Sequence, residues 1–350
     1  MPSAAQQRCI GVGGATAIIV GFVIGVSVFV LPGALAGSVG PSVVLVYACA
    51  SLFALSACLV AVQLGCAFPV SAAGYEATRA LRGPRAGFLL VWIIVGASAV
   101  GVGLIAHGLA NYLSTILPLD SGKVATISVL ICALINMFGA QASTGMQSIM
   151  VVLFLAALLA FVGLGLPEVD PELLVPFMPA GIGALGPAIV TAYFSYAGFF
   201  VIIELAGEIE NPAKTLPRAM ALSFALVLAV YLMVSLTLVG LVPWRQLGAD
   251  PAPVVTAARY VLPESWISPL ALTAVAAGAT SINGILLGYS RDLRALAARG
   301  HLPGWALLHV NALPDSAAGV APMALLAVTA TVASDNILAL ATQAVLGILT

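Results

Sequence analysis

GFVIGVSVFVLPG, residues 21–33, lies inside an apolar run that extends from residue 10 to 36. Crossing a bilayer takes roughly 20 residues, so the run is long enough. Its centre nevertheless carries Gly21, Gly25 and Ser27, and Pro32-Gly33 follow. A second run repeats the arrangement: AYFSYAGFFVIIELAGEIENP, residues 192–212, has Ser195, Ala197 and Gly198 at its middle and Asn211-Pro212 at its close. A lone pair such as Gly21-x-x-x-Gly25 or Gly284-x-x-x-Gly288 reads as close helix packing. Matched interruptions near Gly25 and Gly198 read differently. Unwinding a helix at mid-membrane frees N–H groups at the start of one half-helix and C=O groups at the end of the other. The first set suits a carboxylate, the second an ammonium or a metal ion.

The rest of the chain agrees with a membrane setting. Of its 350 residues, 62% are hydrophobic and 7% charged, where a soluble domain carries roughly 25% charged residues; the mean hydropathy is +1.15. The backbone of a lipid-embedded segment must satisfy its own hydrogen bonds, and these runs are too long for barrel strands, so the expected class is all-α. Ten helices are predicted, at 10–36, 41–69, 86–117, 124–140 and 145–166, then 182–207, 217–242, 266–290, 319–334 and 337–350. The first five and the last five form two sets, 10–166 and 182–350, within one domain spanning 1–350. Residues 336–350 are short for a crossing, and the last helix is expected to be truncated.

With the N-terminus inside, Arg8, Arg79, Arg82, Arg85, Lys214, Arg218, Arg291, Arg294 and Arg299 face the cytoplasm and only Lys123, Arg245 and Arg259 lie outside. The positive-inside rule therefore predicts a multi-pass protein of the cytoplasmic (inner) membrane with a cytoplasmic N-terminus. A net charge of −1 with scattered basic residues argues against nucleic acid as a partner. Cys9, Cys49, Cys58, Cys66 and Cys132 show no paired spacing and read as packing residues. Gly101-x-Gly103-x-x-Ala106 spells a dinucleotide fingerprint without the strand that gives it meaning, and there is no P-loop.

Four stretches resemble the amino acid/polyamine/organocation (APC) transporter family. GFVIGVSVF resembles its G-x-x-I-G-x-G-x-F pattern, with Ser27 in place of the last glycine. Residues 68–92, FPVSAAGYEATRALRGPRAGFLLVW, resemble its FP-x-(S/A)-GG-x-Y junction and the helix start beyond it. FFVIIELAGEIENPAKTLPRAM resembles the helix 6 stretch ending N-P-x-x-x-x-P-R-A, and SRDLRALAARGHLP, residues 290–303, resembles the end of helix 8. The resemblance implies a five-plus-five inverted-repeat (LeuT-like) bundle with discontinuous helices 1 and 6, working by alternating access. It implies a substrate carboxylate near Gly25, Val26 and Ser27, an ammonium near the carbonyls of Ala192 to Ser195, and Phe194 as an aromatic gate. Phe200 stands where many relatives carry an acid, so that acid's contact is missing here.

Several polar residues fall within apolar runs. Glu204 is the candidate proton carrier, or else a partner for a nearby arginine, because a buried carboxyl tends to be neutral, paired or functional. The resemblance also makes Ala277, Thr280 and Ser281, with the carbonyls of Gly21 and Ile24, a candidate sodium site; the alternative is that these hydroxyls bond their own backbone. His107, Asn136 and Asn283 read as interhelical groups. Val100, Leu104, Phe199 and Phe200 are expected to make an apolar pocket wall. The expected function is secondary transport of an amino acid, neutral in charge, coupled to H+ or Na+ or run as an exchange, with no organic cofactor. A non-transporting truncated relative and a membrane-embedded enzyme are the alternatives, the second lacking a converging catalytic set. Substrate identity, direction and oligomeric state stay open.

Overall fold

The computed structural model describes residues 10–70, 72–137, 143–204, 206–301, 319–334 and 336–349. Arg8, Cys9, Ser71, Leu302 and Pro303, used in the reading above, lie outside the described residues.

The first predicted run is two helices, α1 (Val12–Ile24) and α2 (Ser27–Val39). They part at Gly25, whose φ of 38° and ψ of −145° end α1 in a conformation that favours glycine. The chain returns as α3 (Val43–Ala67), and a short amphipathic α4 (Ala73–Arg82) leads into α5 (Pro84–Ser114). Next come α6 (Ser121–Met137) and α7 (Ser143–Gly165).

The second interrupted run is α8 (Leu185–Tyr193), a tightly wound 3₁₀ stretch at Phe194–Phe200, and α9 (Val201–Glu204). Then follow α10 (Pro212–Leu241), the short α11 (Trp244–Leu247) and α12 (Pro253–Ala258), α13 (Glu264–Ala298), α14 (Val320–Ala333) and α15 (Ile337–Leu349). Pro84, Pro212 and Pro253 open their helices at the position where the missing N–H costs nothing.

Two boundaries moved for a physical reason. The run ending at 290 continues as helix to Ala298 because Leu293 and Leu296 keep an apolar stripe buried. The run starting at 217 begins at Pro212, with Pro217 inside the first turns of α10. The sequence reading gave no helix to α4, α11 or α12. The last two fold over α2, where Gly37 and Gly248 bring two backbones into contact.

Among the described residues the polarity is inverted relative to a soluble protein. Leu52, Phe53, Leu134, Ile149 and Val152 are well exposed on helix faces, whereas Ser223, Ser235 and Thr237 are fully buried. Six runs of described residues are long and apolar enough to cross a bilayer, the first of them Val12–Ala67. This is a multi-pass membrane protein whose lipid-facing side chains are its large apolar ones. The core between the broken helices and α3, α5, α10 and α13 is where its buried tyrosines and hydroxyls collect.

Candidate functional site

The two interruptions meet. A Cβ on Gly198 would lie 2.9 Å from Phe22 C, Phe22 O and Val23 Cα, so the 3₁₀ stretch lies directly on the end of α1. Gly25 faces α13, and a Cβ there would fall on the Ser281 hydroxyl. Gly284 serves the same end, since its missing side chain leaves the space taken by the Phe22 ring. Three glycines thus bring three chain segments to one point.

A cavity of about 50 Å³ opens at this point. It is lined by the α1–α2 break (Phe22, Gly25, Val26 and Ser27), by Phe194 and Gly198, by Ser98, Gly101 and Ile105 of α5, and by Ser281, Ile285 and Tyr289 of α13. Among the described residues no charged side chain lines it. The N–H groups at the start of α2 have no acceptor within their helix, as at any helix N-terminus, and α1 ends in carbonyls on the opposite side of the break.

A tyrosine cluster fixes the break. Ser27 Oγ is 2.6 Å from Tyr231 Oη and donates to Ile24 O at 2.9 Å. Tyr231 Oη reaches Val23 O at 3.2 Å and Ser195 O at 3.4 Å, so one phenol spans both interrupted helices. The ring of Tyr231 stacks on Tyr47 at 4.8 Å, Tyr47 Oη lies 3.4 Å from Ser195 Oγ, and Tyr196 donates to Tyr47 O. None of these tyrosines was singled out in the sequence reading. The available signal was a phenol in the middle of apolar helices, such as Tyr231 in LAVYLMV.

Of the expected substrate residues, Gly25, Val26, Ser27, Phe194 and Gly198 line the cavity; Ala192 and Ser195 are buried behind it. The expected wall needs correction. Val100, Leu104, Phe199 and Phe200 do not line the cavity, and the α5 face that does carries Ala97, Ser98, Gly101 and Ile105. The close approach decides this: a Cβ on Gly101 would be 3.1 Å from the Phe194 ring, so the glycine face of α5 turns inward. Phe199 packs against Tyr196 and Phe224 instead.

The candidate sodium oxygens also converge. Ser281 Oγ is 3.4 Å from Gly21 O and 3.1 Å from Ala277 O, and Thr280 Oγ1 donates to Ala277 O at 2.8 Å. Ile24 O is engaged by Ser27. Both hydroxyls bond the Ala277 carbonyl of their own helix, the alternative expected for a membrane helix, and of the two only Ser281 Oγ also reaches α1, at Gly21 O.

Glu204 is buried, accepts from the backbone N–H of Gly74 and hydrogen-bonds to the carboxyl of Asp292, a partner the sequence reading missed. His107 Nε2 lies 3.0 Å from Thr331 O, joining α5 to α14, and Asn136 donates to Asn283 O, joining α6 to α13. Both serve as interhelical groups, as expected. Cys58 and Cys132 are free thiols in the packed interior.

Comparison with known proteins adds a family. The model for the amino acid permease family matches residues 14–340. The branched-chain amino acid permease BcaP of Bacillus subtilis (strain 168) is 27% identical over 320 residues, covering 85% of this chain and 69% of that protein. Its namesake in Lactococcus lactis subsp. cremoris (strain MG1363) is 29% identical over 341 residues, covering 88% and 72%. Among solved structures, the Eremococcus coleocola manganese transporter superposes with a TM-score of 0.67 at 13% identity, over 97% of this chain and 76% of that one. The fold is therefore the five-plus-five inverted-repeat bundle of secondary transporters.

Proposed function

The chain belongs to the amino acid permease family, and on that premise we propose that it carries an amino acid of no net charge across the cytoplasmic membrane by alternating access, with its N-terminus inside. Family and relatives alike are transporters rather than enzymes. The observation that carries the proposal is the cavity between Gly25 and Gly198, with helix-terminal N–H and C=O groups on its two sides and no charged lining residue among those described.

A zwitterion fits such a place. Its carboxylate binds the N–H groups at Val26 and Ser27, where the positive end of α2 points. Its ammonium binds carbonyls of the 3₁₀ stretch next to Ser195, and its side chain lies between Phe194, Ile105 and Ile285. A lysine or glutamate side chain would be desolvated there without a counter-charge, which costs several kcal/mol. In this conformation the cavity is smaller than an amino acid, so Phe194 and the α5 face must part to admit one. The branched-chain specificity of the two bacterial relatives agrees with an apolar side-chain compartment.

Transport runs on an ion gradient or on exchange. A sodium ion would be held by Gly21, Ile24, Ala277, Thr280 and Ser281, neutralising the carbonyl end of α1 while the carboxylate neutralises the N–H end of α2. The two repeats, 10–166 and 182–350, then rock about the crossing at Gly25 and Gly198.

Isothermal titration of the purified chain in nanodiscs tests the site. Leucine, valine or another neutral amino acid should bind and be weakened by Phe194→Ala, while lysine and glutamate give no heat. Binding of lysine or glutamate as tight as that of the neutral set would refute the reading.

A further inference from the structure

The inner end of the bundle holds two acids that share a hydrogen bond. Glu204 ends α9 and Asp292 lies on α13, with 5% and 3% of their surfaces exposed. Their carboxyl groups bond to each other. An ionised carboxylate only accepts hydrogen bonds, so two carboxyls can share one only when a proton sits on one of them. The backbone says which. Gly74, in the first turn of α4, donates its N–H to Glu204, and a Cβ on Gly74 would lie 2.8 Å from Glu204 Oε1. A helix N-terminus favours the anion, which makes Glu204 the carboxylate and Asp292 the acid that donates to it.

A purely structural pair would be fully bonded, and this one is not. Among the described residues, Glu204 Oε2 and Asp292 Oδ1 are both buried with no hydrogen-bond partner. The neighbouring charge is drawn elsewhere: Arg291, within electrostatic reach of both acids, pairs with Glu208 at 2.9 Å. Other titratable groups on the elements packed around the pair are Tyr47, Cys49, Cys58 and Cys66 of α3, Tyr75, Glu76, Arg79 and Arg82 of α4, Tyr196 of the 3₁₀ stretch, and Tyr289, Arg294 and Arg299 of α13. Glu76 is tied to Arg299 and Arg79, and α1 brings no titratable side chain. Tyr289 leads from the pair to the cavity. It lines the cavity, hydrogen-bonds to Ser98, which lines it too, and lies within electrostatic reach of both acids.

We propose that Glu204 and Asp292 are a shared proton site that loads and empties with the transport cycle, making the proton a coupling ion. The proposal rests on the transporter reading above. When the inner end opens, α9 and α13 separate, the Asp292 acid is hydrated and its proton passes to water, leaving two carboxylates. Closing the pair again requires a proton to be taken up, because two bare carboxylates repel at contact. Taken up from the outer side by way of the cavity and Tyr289, that proton makes each cycle carry one proton inward with the substrate.

Two measurements on the full chain test this. Infrared spectroscopy of the protein in nanodiscs at neutral pH should show a protonated carboxyl C=O stretch that Asp292→Asn abolishes; Asn keeps a donor toward Glu204, so the fold is retained. In proteoliposomes, Asp292→Asn should keep neutral amino acid counterflow, which needs no net proton movement, and lose accumulation driven by a pH gradient by about tenfold or more, the scale of an ordinary coupling free energy. A wild-type chain with no such infrared band overturns the proposal. So does a band unchanged in Asp292→Asn and Glu204→Gln, and so does a variant that accumulates substrate on a pH gradient as the wild type does. Absence of counterflow in the folded wild type would instead sink the transporter reading, with the infrared result still deciding whether the pair holds a proton.

Discussion

Gly25→Ala tests whether the break in the first helix is built on the absence of a side chain. The substitution incurs two separable costs. The backbone at φ 38°, ψ −145° is one that L side chains rarely adopt, a strain of about 1–3 kcal/mol. The new methyl would also fall on the Ser281 hydroxyl, and overpacking of this kind adds about 1–3 kcal/mol. Together they come to about 2–6 kcal/mol, enough to shift the population of the assembled site by more than about tenfold. Ser281→Ala removes the second cost alone. It leaves Ser281 Cβ, 3.2 Å from the new methyl, and Ala277 O, 3.8 Å away. The double variant should therefore recover about 0.5–3 kcal/mol relative to the sum of the single changes, read as thermal stability in detergent and as binding of a neutral amino acid. The residual deficit is the backbone term together with the tight contact to Cβ of residue 281. Wild-type stability and binding in Gly25→Ala, or strictly additive losses in the double variant, would refute the geometry.

Tyr231→Phe removes the phenol that holds Ser27, Val23 O and Ser195 O together; it should cost about 1–3 kcal/mol, seen as a lower unfolding temperature with weakened substrate binding. Gly198→Ala puts a methyl 2.9 Å from the α1 backbone and should slow counterflow more than it lowers stability, because the two interruptions must separate slightly. His107→Gln should leave counterflow as in the wild type, since the ring bonds Thr331 O between α5 and α14 and does not line the cavity at the crossing.

Much of this architecture is legible in the chain itself. Hydropathy locates the crossings, because a lipid-embedded helix must be apolar over its whole length, and the small residues at Gly25 and Gly198 locate the breaks. The form of the second break is not legible: Phe194–Phe200 winds more tightly rather than coming apart, which depends on its packing against Phe22 and Val23. The pocket wall was missed for a related reason. Large apolar residues on α5 suggest a wall, but it is the narrow side of that helix, at Ala97 and Gly101, that approaches Phe194. Periodicity ranks faces by apolarity and says nothing of which face a neighbour's ring occupies.

Pairings between distant residues were the other gap. Glu204 stood out as a lone acid in an apolar run, but Asp292 was not singled out, and α13 carries it inward. Tyr47, Tyr196 and Tyr231 come from three separate segments, and nothing in their spacing shows that they meet. The paired glycine breaks, by contrast, are local features that each half displays by itself.

The most direct test of the account is counterflow by the full chain in proteoliposomes preloaded with an unlabelled neutral amino acid. Radiolabelled leucine or another neutral amino acid should enter transiently above its equilibrium level, and Gly25→Leu should abolish this. No overshoot with any neutral amino acid in verified folded protein, or an overshoot untouched by Gly25→Leu, would contradict a substrate site at the crossing of the two broken helices.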